Sequence, residues 1–316
     1  MMGRFGWRVL AALLVALSAP WAPASAANCT AAERAEADRQ LWLSRADRQA
    51  ATAAHLPWGV PRETGATDNE RLLVQRDYVI RYDSDLRVPL WTAERVDSGR
   101  IGKVSREDCF RADPRLPPAA ASAPADYDEP IYDQGHMAPF ANQSSSEIAG
   151  HNSFIMSNMA PQTCQFNRGI WQILEGITRL WADQHGTVHV LSGSIFDRDG
   201  NGLRDPDPAA QRMRSRNGRE RVAVPSAFYK VISYRRADGR PATLSIILPH
   251  DQANPDGPEA LAYLQTHVTT LAAIERAAGI DIFPGLADPG ETATLWPFSG
   301  RQPRSLCRVS AAGERG

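Results

Sequence analysis

The chain has 316 residues, 43% of them hydrophobic, and a formal net charge of −1. That length and hydrophobic fraction are ample for a packed core and indicate one large domain or two small ones. The near-neutral charge, without a long run of one sign, excludes a basic nucleic-acid-binding tail. Any phosphate binding therefore relies on locally placed arginines, whose planar guanidinium group suits phosphate better than lysine does.

Residues 1–26 have the pattern of a cleaved export signal. Arg4 and Arg8 lie in a short basic start, "VLAALLVALSAPWA" is apolar, and Ala24–Ala26 forms a small-x-small cleavage site. The alternative, an uncleaved membrane anchor, is disfavoured because the apolar run is short and broken by proline. Cleavage removes two arginines and no acid, so the formal charge falls from −1 to −3. We expect an exported protein, either periplasmic or secreted.

Four cysteines follow this segment: Cys29, Cys109, Cys164 and Cys307. An exported chain can form disulfides, and four cysteines allow two bridges with three possible pairings. No CxxC unit occurs, so a zinc cluster is not expected, and a nucleophilic cysteine is disfavoured in an oxidising compartment. The sequence predicts two structural disulfides and leaves their pairing open.

In chain order, residues 31–54 are rich in helix-forming residues and predict one helix. A loop punctuated by Pro and Gly follows, and alternating polarity then predicts strands over 77–83 and 88–97. Residues 111–136 have a Pro/Ala-rich centre, which predicts a long surface loop that leads into "DQGH", Asp133–His136.

The second half of the chain alternates strands and helices. Apolar residues 154–156 predict a short strand, and a helical apolar period predicts a helix from Asn167 to a stop at Gly186. Further elements are predicted as strands over 187–196, 222–234 and 242–249 and as one helix over 257–279. The fold class is therefore α+β, with a mixed, mainly antiparallel central sheet flanked by helices. We expect an N-terminal helical segment over 27–54, a main domain over 55–300 and a C-terminal tail over 301–316.

Four residues of the second-half helix, spaced four apart, form one slanted row: Asn167, Trp171, Glu175 and Arg179. Taken alone, such a row is typical of a solvated helix face. Two neighbours favour a site instead, because Asn158 lies in the loop before this helix and His136 ends the preceding segment. An amide oxygen suits Mg²⁺, which keeps most of its waters, and neutral imidazole suits proton abstraction.

Two stretches, "DQGHMAP" (133–139) and "SNMAPQTCQFNRGIWQILE" (157–175), closely resemble the DNA/RNA non-specific endonucleases of the ββα-metal superfamily. The family signature is Asp-Arg-Gly-His, then Asn-x-x-Pro-Gln, then Asn-x-Gly-x-Trp-x-x-x-Glu. Its later parts are met at the family spacing by Asn158, Pro161, Gln162, Asn167, Gly169, Trp171 and Glu175. Further similarity, in "HLPWG", "VPLWTAERV", "LSGSIF" and "VAVPSAFYKVI", extends the match from about His55 to Pro249. The resemblance implies a ββα-metal active-site motif and Mg²⁺-dependent hydrolysis of DNA and RNA that leaves 5′-phosphate and 3′-hydroxyl ends.

The resemblance also implies a role for each matching side chain. His136 would be the general base, and Asn167 would be the only direct protein ligand of Mg²⁺, for which Mn²⁺ could substitute. Glu175 would hold a metal-bound water, and Asn158 would position the base or the substrate. The remaining assigned residues are Arg95 as phosphate clamp, Arg179 for charge neutralisation, Asp133 as a further catalytic residue, and Gln134 and Arg168 for substrate binding.

One position departs from the family signature, because Gln134 stands where the family has arginine. Losing one charge-assisted contact costs about 1.5–3 kcal/mol, which corresponds to roughly one to two decades in rate. Since His136 and Asn167 are both present, the sequence predicts a slower nuclease rather than an inactive one.

Two other functions stay open on the sequence. One is a catalytically weakened nucleic-acid-binding module on the same fold, which Gln134 and the acidic charge favour mildly. The other is a phosphodiesterase that acts on small nucleotides with the same residues. The expected substrates are DNA and RNA, and the sequence leaves open whether the protein is a monomer or a homodimer and whether it has an inhibitor partner.

A second candidate metal site starts at Asp197, where "DRDGNG" resembles the beginning of a calcium-binding loop. Asp197, Asp199 and Asn201 would supply its first ligands. Pro208 stands where the loop's bidentate glutamate belongs, so a polar turn is favoured over a structural Ca²⁺ site.

Overall fold

The computed structural model describes residues 28–65, 69–214, 221–251, 253, 255, 257–286, 289–299 and 307. Within them, the α-helices are α1 (Ala31–Arg39), α2 (Arg45–His55), α3 (Glu147–Ser153), α4 (Gln172–His185), α5 (Gly257–Thr266) and α6 (Leu271–Ala278). The strands are β1 (Arg62–Glu63), β2 (Glu70–Val74), β3 (Val79–Asp83), β4 (Val88–Asp97), β5 (Tyr132–His136), β6 (Met159–Thr163), β7 (Thr187–Ile195), β8 (Ala227–Arg235), β9 (Pro241–Pro249), β10 (Val268–Thr269) and β11 (Ile280–Asp281). The signal predicted over 1–26 lies outside the described residues, as does nearly all of the predicted tail.

The core is built on one seven-stranded antiparallel sheet in the order β10-β9-β8-β7-β4-β3-β2. Its central strands are buried almost throughout, as expected for strands covered on both faces. Helix α4 packs against β4 and β7, and α2 packs against β2, β3 and β4. Two smaller pairs, β1-β11 and β5-β6, complete the sheets of the described chain. The α+β prediction, with a mainly antiparallel sheet flanked by helices, is confirmed.

The strands that alternate regularly in sequence lie where they were predicted. Strand β4 has the predicted bounds, and β3, β7, β8 and β9 lie within or close to the predicted ranges. The predicted stop of the long helix is also present, because Gly186 follows α4 with a φ of +80°, which favours glycine.

Two helices predicted as continuous are broken. The predicted helix over 31–54 is α1 and α2, and Ser44 caps the second, its Oγ accepting the Asp47 N–H at 3.1 Å. The predicted helix over 257–279 is α5 and α6, separated by β10, in which Val268 pairs with Ile246 of β9. In both cases a local cap or a strand pairing outweighs helix propensity.

The short strand predicted over 154–156 is wrong. Phe154 is the C-cap that follows α3, Met156 begins a 3-10 turn, and both side chains are buried in the core. The strand in this region is β6, whose sequence Met-Ala-Pro-Gln-Thr contains Pro161 and therefore reads as a loop. Since β6 pairs only with β5, its proline costs no bond to a further strand.

Two disulfides join Cys29 to Cys109 and Cys164 to Cys307, which confirms the two predicted bridges and selects one of the three pairings. The first ties the start of the described chain to the segment after β4, and the second ties residue 307 to the end of β6. None of the helices in the described ranges is long and apolar enough to cross a membrane.

Candidate active site

The hairpin β5-β6 and the helix that follows it form a ββα unit on one side of the main sheet. His136 lies at the end of β5 opposite Met159, and Gly135 lies opposite Ala160. A side chain at position 135 would overlap the buried amide of Gln162, which explains why glycine precedes the histidine.

Asn158 fixes the turn that follows His136. Its Oδ1 accepts the N–H of Ala138 at 3.0 Å, and its Nδ2 donates to the carbonyls of Ala138 and Ser153 at 2.9 and 2.8 Å. The residue is fully buried, and these bonds occupy its amide. Asn158 therefore holds the chain in place where it leaves β5.

The His136 ring lies in an aromatic pocket. The edge of the ring meets Phe154 with the centroids 4.8 Å apart, and Phe110 lies 6.0 Å away. Its Nε2 is buried without a hydrogen-bond partner among the described atoms. Burial, and secondarily the charge of Arg106, lowers the pKa of His136 to about 3. The imidazole is therefore neutral near pH 7.

The helix opens with a π-helical turn, Phe166–Trp171, in which Gly169 leaves helical geometry at φ −118° and ψ −112°. Two contacts tie this turn to β5. The Nε1 of Trp171 donates to the His136 carbonyl at 3.1 Å, and the Nδ2 of Asn167 donates to Asp133 at 2.9 Å. Strand β5 and the Asn167 turn are thus joined at two positions of the strand, His136 and Asp133.

Asp133 accepts most of the hydrogen bonds between β5 and this turn. Besides Asn167, it accepts two hydrogen bonds from the Arg168 guanidinium, at 2.8 and 2.7 Å, and this pairing raises the pKa of Arg168. With the amide nitrogen of Asn167 held by Asp133, its carbonyl oxygen points away from the carboxylate. That oxygen is the free donor atom that a hard cation requires.

One turn into α4, Glu175 is almost fully buried, and burial raises its pKa. Three cations oppose that rise, namely Lys230, Arg179 and Arg106 in decreasing order. Arg106 therefore acts electrostatically on both His136 and Glu175, and its guanidinium lies 5.0 Å from the centre of the Phe154 ring.

A buried charged network supports Glu175 from the sheet. Lys230 donates to Ser192 Oγ at 2.6 Å, and its Nζ lies 4.1 Å above the Trp171 ring. Glu94 accepts hydrogen bonds from Asn142 at 2.9 Å and Gln143 at 2.6 Å. Burial raises the pKa of Glu94 to about 7, whereas the charge of Lys230 lowers it.

Comparison with known proteins decides the family. The model of the DNA/RNA non-specific endonuclease family matches residues 61–289. The chain belongs to this family. It is 32% identical to Nuclease C1 of Cunninghamella echinulata var. echinulata over 246 residues, which is 76% of this chain and 91% of the relative. It is 29% identical to human mitochondrial endonuclease G over 221 residues, 68% of this chain and 70% of that protein.

A solved structure agrees with the fold. The crystal structure of the EndoG/EndoGI complex superimposes with a TM-score of 0.61 at 27% identity and covers 76% of this chain and 94% of that chain. The resemblance to the ββα-metal nucleases is thus confirmed. The protein is a metal-dependent endonuclease that hydrolyses phosphodiester bonds in nucleic acids, and the family implies a divalent metal ion.

The residues of the nuclease fit such an ion. Among the described residues, no three His, Cys, Asp or Glu side chains cluster as a multidentate cage would require. The ββα unit instead offers the amide oxygen of Asn167, whose amide nitrogen is held by Asp133. A single oxygen ligand with a nearby carboxylate suits a cation that keeps most of its waters, as Mg²⁺ does.

The structure does not bring Arg95 to the site, so its assignment as phosphate clamp needs correction. Side chains alternate along β4, and Arg95 points to the face that carries its cross-strand neighbour His189 and Trp58. There it forms an ion pair with Asp97 at 3.0 Å. Its neighbour Glu94 points instead toward α4 and the nuclease site.

Arg106, which the sequence analysis did not single out, lies near His136 instead. It lies in an exposed loop, where its Nε donates to Asp108 at 2.7 Å. Nothing in its sequence surroundings distinguishes it from the other arginines, and only the fold places it against Phe154 beside His136. Arg179 does lie at the site, where it donates to Asn142 Oδ1 at 3.0 Å and acts on Glu175.

The second candidate metal site forms a self-bonded turn. Asp197 accepts the N–H groups of Asn201 and Gly202 at 3.0 and 2.9 Å, and Asp199 accepts from Asn201. Asn201 Oδ1 in turn accepts the N–H of Leu203. The side-chain oxygens that would bind Ca²⁺ are engaged with the loop's own backbone, which is the geometry of an Asx turn.

Proposed function

We propose that the protein is an exported, Mg²⁺-dependent endonuclease that cleaves both DNA and RNA and leaves 5′-phosphate ends. His136 is the general base and Asn167 is the protein ligand of the metal, with Mn²⁺ as a possible substitute. The observation that carries the proposal is the junction of β5 with the Asn167 turn. It holds an unprotonated imidazole and a free amide oxygen on adjoining segments.

Each side chain of the site has a defined task in this hydrolysis. His136 removes a proton from the attacking water, while Asn158 and Trp171 hold its strand in place. Asp133 orients the Asn167 amide, and Glu175 accepts hydrogen bonds from water beside the scissile phosphate. When bound, a divalent cation neutralises charge on the scissile phosphate and on the departing 3′ oxygen.

Two arginines supplement the charge of the metal. Arg106 and Arg179 both act on Glu175, so they lie where negative charge accumulates on the phosphate. We propose Arg106 as the phosphate clamp in place of Arg95. Arg168 forms an ion pair with Asp133. To bind substrate as well, its guanidinium has to contact a phosphate and that carboxylate at the same time.

Export is supported by the sequence of residues 1–26 and by the use of all four cysteines in disulfides. Disulfides persist in oxidising compartments such as the periplasm and the extracellular space. The test is to fuse residues 1–30 to a reporter that is active only after export. A silent fusion would contradict this part of the proposal.

The activity is tested by incubating the protein with supercoiled plasmid, RNA or a small phosphodiester in the presence of different divalent metal ions. We expect Mg²⁺ and Mn²⁺ to support cleavage of both polymers and a chelator to stop it. Products should carry 5′-phosphate, measured by direct ligation without prior phosphorylation. Cleavage of the small ester alone would favour the phosphodiesterase, and binding without cleavage would favour the non-catalytic module.

The residue assignment is tested with His136→Ala and Asn167→Ala, each expected to lower turnover by about a thousandfold or more. His267→Ala and Asn201→Ala are matched controls, since both lie outside the ββα unit, and should keep wild-type turnover. Direct Mn²⁺ titration should show weaker binding in Asn167→Ala but not in His136→Ala. Near-wild-type turnover in either site variant would remove that residue from its role.

A further inference from the structure

An open groove of about 560 Å³ lies beside the segment that follows β4. We call it the basic groove and define it by Arg76, Arg100 and Lys103, which line it together with Asp77 and Ser145. It therefore presents three cations against one acid. The formal charge of the whole chain is −1, so this concentration of positive charge is local.

The three cations of the basic groove are held loosely. Arg100 lies 3.7 Å from Asp77, and Arg76 lies 3.6 Å from Asp47, which is beyond hydrogen-bond distance. Both arginine side chains are more than half exposed, at 55% and 56%. Lys103 has no side-chain partner among the described residues, since its only bond there is from its backbone N–H to the Ser144 carbonyl.

Three other arginines of the chain are fixed. Arg115, Arg111 and Arg168 each donate two or more side-chain hydrogen bonds of 3.2 Å or less. They serve as structural anchors, and their donors are occupied. The basic groove instead keeps its donors free for an anion from outside the protein.

The basic groove adjoins the active site through one stretch of chain. Arg100, Lys103 and Arg106 follow one another at intervals of three residues, and Arg106 acts on His136 and Glu175. Three residues span at most about 11 Å, and one strand of a duplex carries a phosphate about every 3.4 Å along the helix axis. A strand with its scissile phosphate at Arg106 thus reaches Lys103 within about three phosphates.

We propose that the basic groove binds the phosphodiester backbone of the substrate strand beside the scissile phosphate. The occupant is a nucleic-acid strand several nucleotides long, recognised by its phosphates and not by its bases. One wall of the groove is Gln40, at the junction of α1 and α2. That junction lies before the residues 61–289 of the family match, so the N-terminal helices contribute to substrate binding in this chain.

The inference rests on the proposed nuclease function, and the test separates the two. Arg100→Ala/Lys103→Ala is compared with wild type and with Arg62→Ala/Arg276→Ala. The control pair removes the same charge from two exposed arginines that have no side-chain bond or ion pair in the described structure. KM and kcat are measured between 50 and 200 mM salt on a 20-nucleotide strand and on a dinucleotide.

For the groove variant we expect a raised KM on the 20-nucleotide strand, with kcat and all dinucleotide constants unchanged. Two lost phosphate contacts lower the slope of log affinity against log salt by about 1.4–1.8. The ratio of the groove variant's KM to the wild-type KM on the 20-nucleotide strand therefore falls roughly tenfold between 50 and 200 mM salt. The charge-preserving variant Arg100→Lys/Lys103→Arg should restore the wild-type slope.

If the groove variant has the same KM and salt slope as the control pair, the groove does not bind substrate. Equal losses on the dinucleotide and the long strand would also overturn the inference, because the defect would then lie at the scissile phosphate. A wild type that cleaves neither substrate contradicts the proposed function itself. Thermal melting of all three variants confirms that the exposed substitutions leave the fold intact.

Discussion

At the scale of single residues, Gln134 stands where the family signature has an arginine. It lies two residues before His136 on β5, so both side chains project from the same face of the hairpin. Arg168, on the turn that is bonded to β5, is occupied by Asp133. The site therefore lacks the cation that the family places one position into this motif.

Restoring that cation should speed the reaction. We expect Gln134→Arg to raise kcat by about one to two decades, since one charge-assisted contact contributes about 1.5–3 kcal/mol. The measurement is single-turnover cleavage of a defined oligonucleotide at saturating Mg²⁺. Gln134→Met is the matched control, because it has similar length without charge and should show no gain. Equal rates for the arginine and methionine variants would contradict the idea.

The placement of site residues was predictable where a fixed spacing marks them. His136 and Asn167 lie in motifs that define both a residue type and its place on a strand or helix, and the structure brings their segments together. Arg95 and Arg106 have no such marker, since both are arginines in polar surroundings. Their difference arises from strand alternation in one case and from packing on Phe154 in the other, which depends on distant chain segments.

At the scale of elements, the long alternating strands were predictable from the sequence, whereas the short strands β6 and β10 were not. Strands β4, β7, β8 and β9 carry their pattern over eight residues or more. Strand β6 contains Pro161 and exists because β5 pairs with it, and β10 exists because β9 offers an edge. These short elements depend on tertiary pairing, which local propensity does not encode.

The contact between the sheet and the active-site helix contains a buried cation, Lys230, on which two buried carboxylates act, Glu175 more strongly than Glu94. Lys230 and Glu94 lie on neighbouring parts of the sheet face beneath Trp171 and Glu175, and each lowers the other's cost of burial. We expect Lys230→Met alone to cost about 3–5 kcal/mol of unfolding free energy, because it leaves buried carboxylates without their cation. Equilibrium urea unfolding measures this cost.

A double-mutant cycle identifies the source of that cost. Adding Glu94→Gln to Lys230→Met should recover part of the loss, with a coupling energy of about 1–3 kcal/mol. The Gln143 amide can rotate so that its oxygen accepts a hydrogen bond from the new glutamine, and every polar atom at this position then keeps a partner. Simple additivity of the two changes would show that Lys230 stabilises the fold through its other contacts, with Ser192, Trp171 and Glu175, and not through Glu94.

At the scale of the whole molecule, stability should depend on pH through histidines far from the active site. His55 donates from Nε2 to the Arg76 carbonyl and accepts the Arg95 N–H at Nδ1, both at 2.9 Å. A proton added at Nδ1 would place two N–H groups against each other. Burial is the main cause that lowers the pKa of His55 to about 4, and it does the same for His189.

The sign of the dependence follows from proton uptake. Between pH 6.5 and about 4 the unfolded chain binds protons at these two positions and the folded protein does not, so acid favours unfolding. Stabilisation is complete above pH 6.5 and falls by about 3 kcal/mol per histidine by pH 4. Glu94 acts in the opposite direction, because its raised pKa, about 7, makes the folded state lose stability as pH rises from 4.5 to 7.

Urea unfolding of metal-free protein from pH 4 to 8 should therefore show a fall in unfolding free energy toward acid. His55→Gln removes the contribution of one titrating histidine. Glutamine can accept the Arg95 N–H and donate to the Arg76 carbonyl, but it does not titrate. Its curve should be shallower than wild type by about 1.4 kcal/mol per pH unit in the middle of the window. Parallel curves for the two proteins would mean that His55 is protonated to the same extent in both states. The acid sensitivity would then have to arise from the other buried histidines, among them His136 and His189.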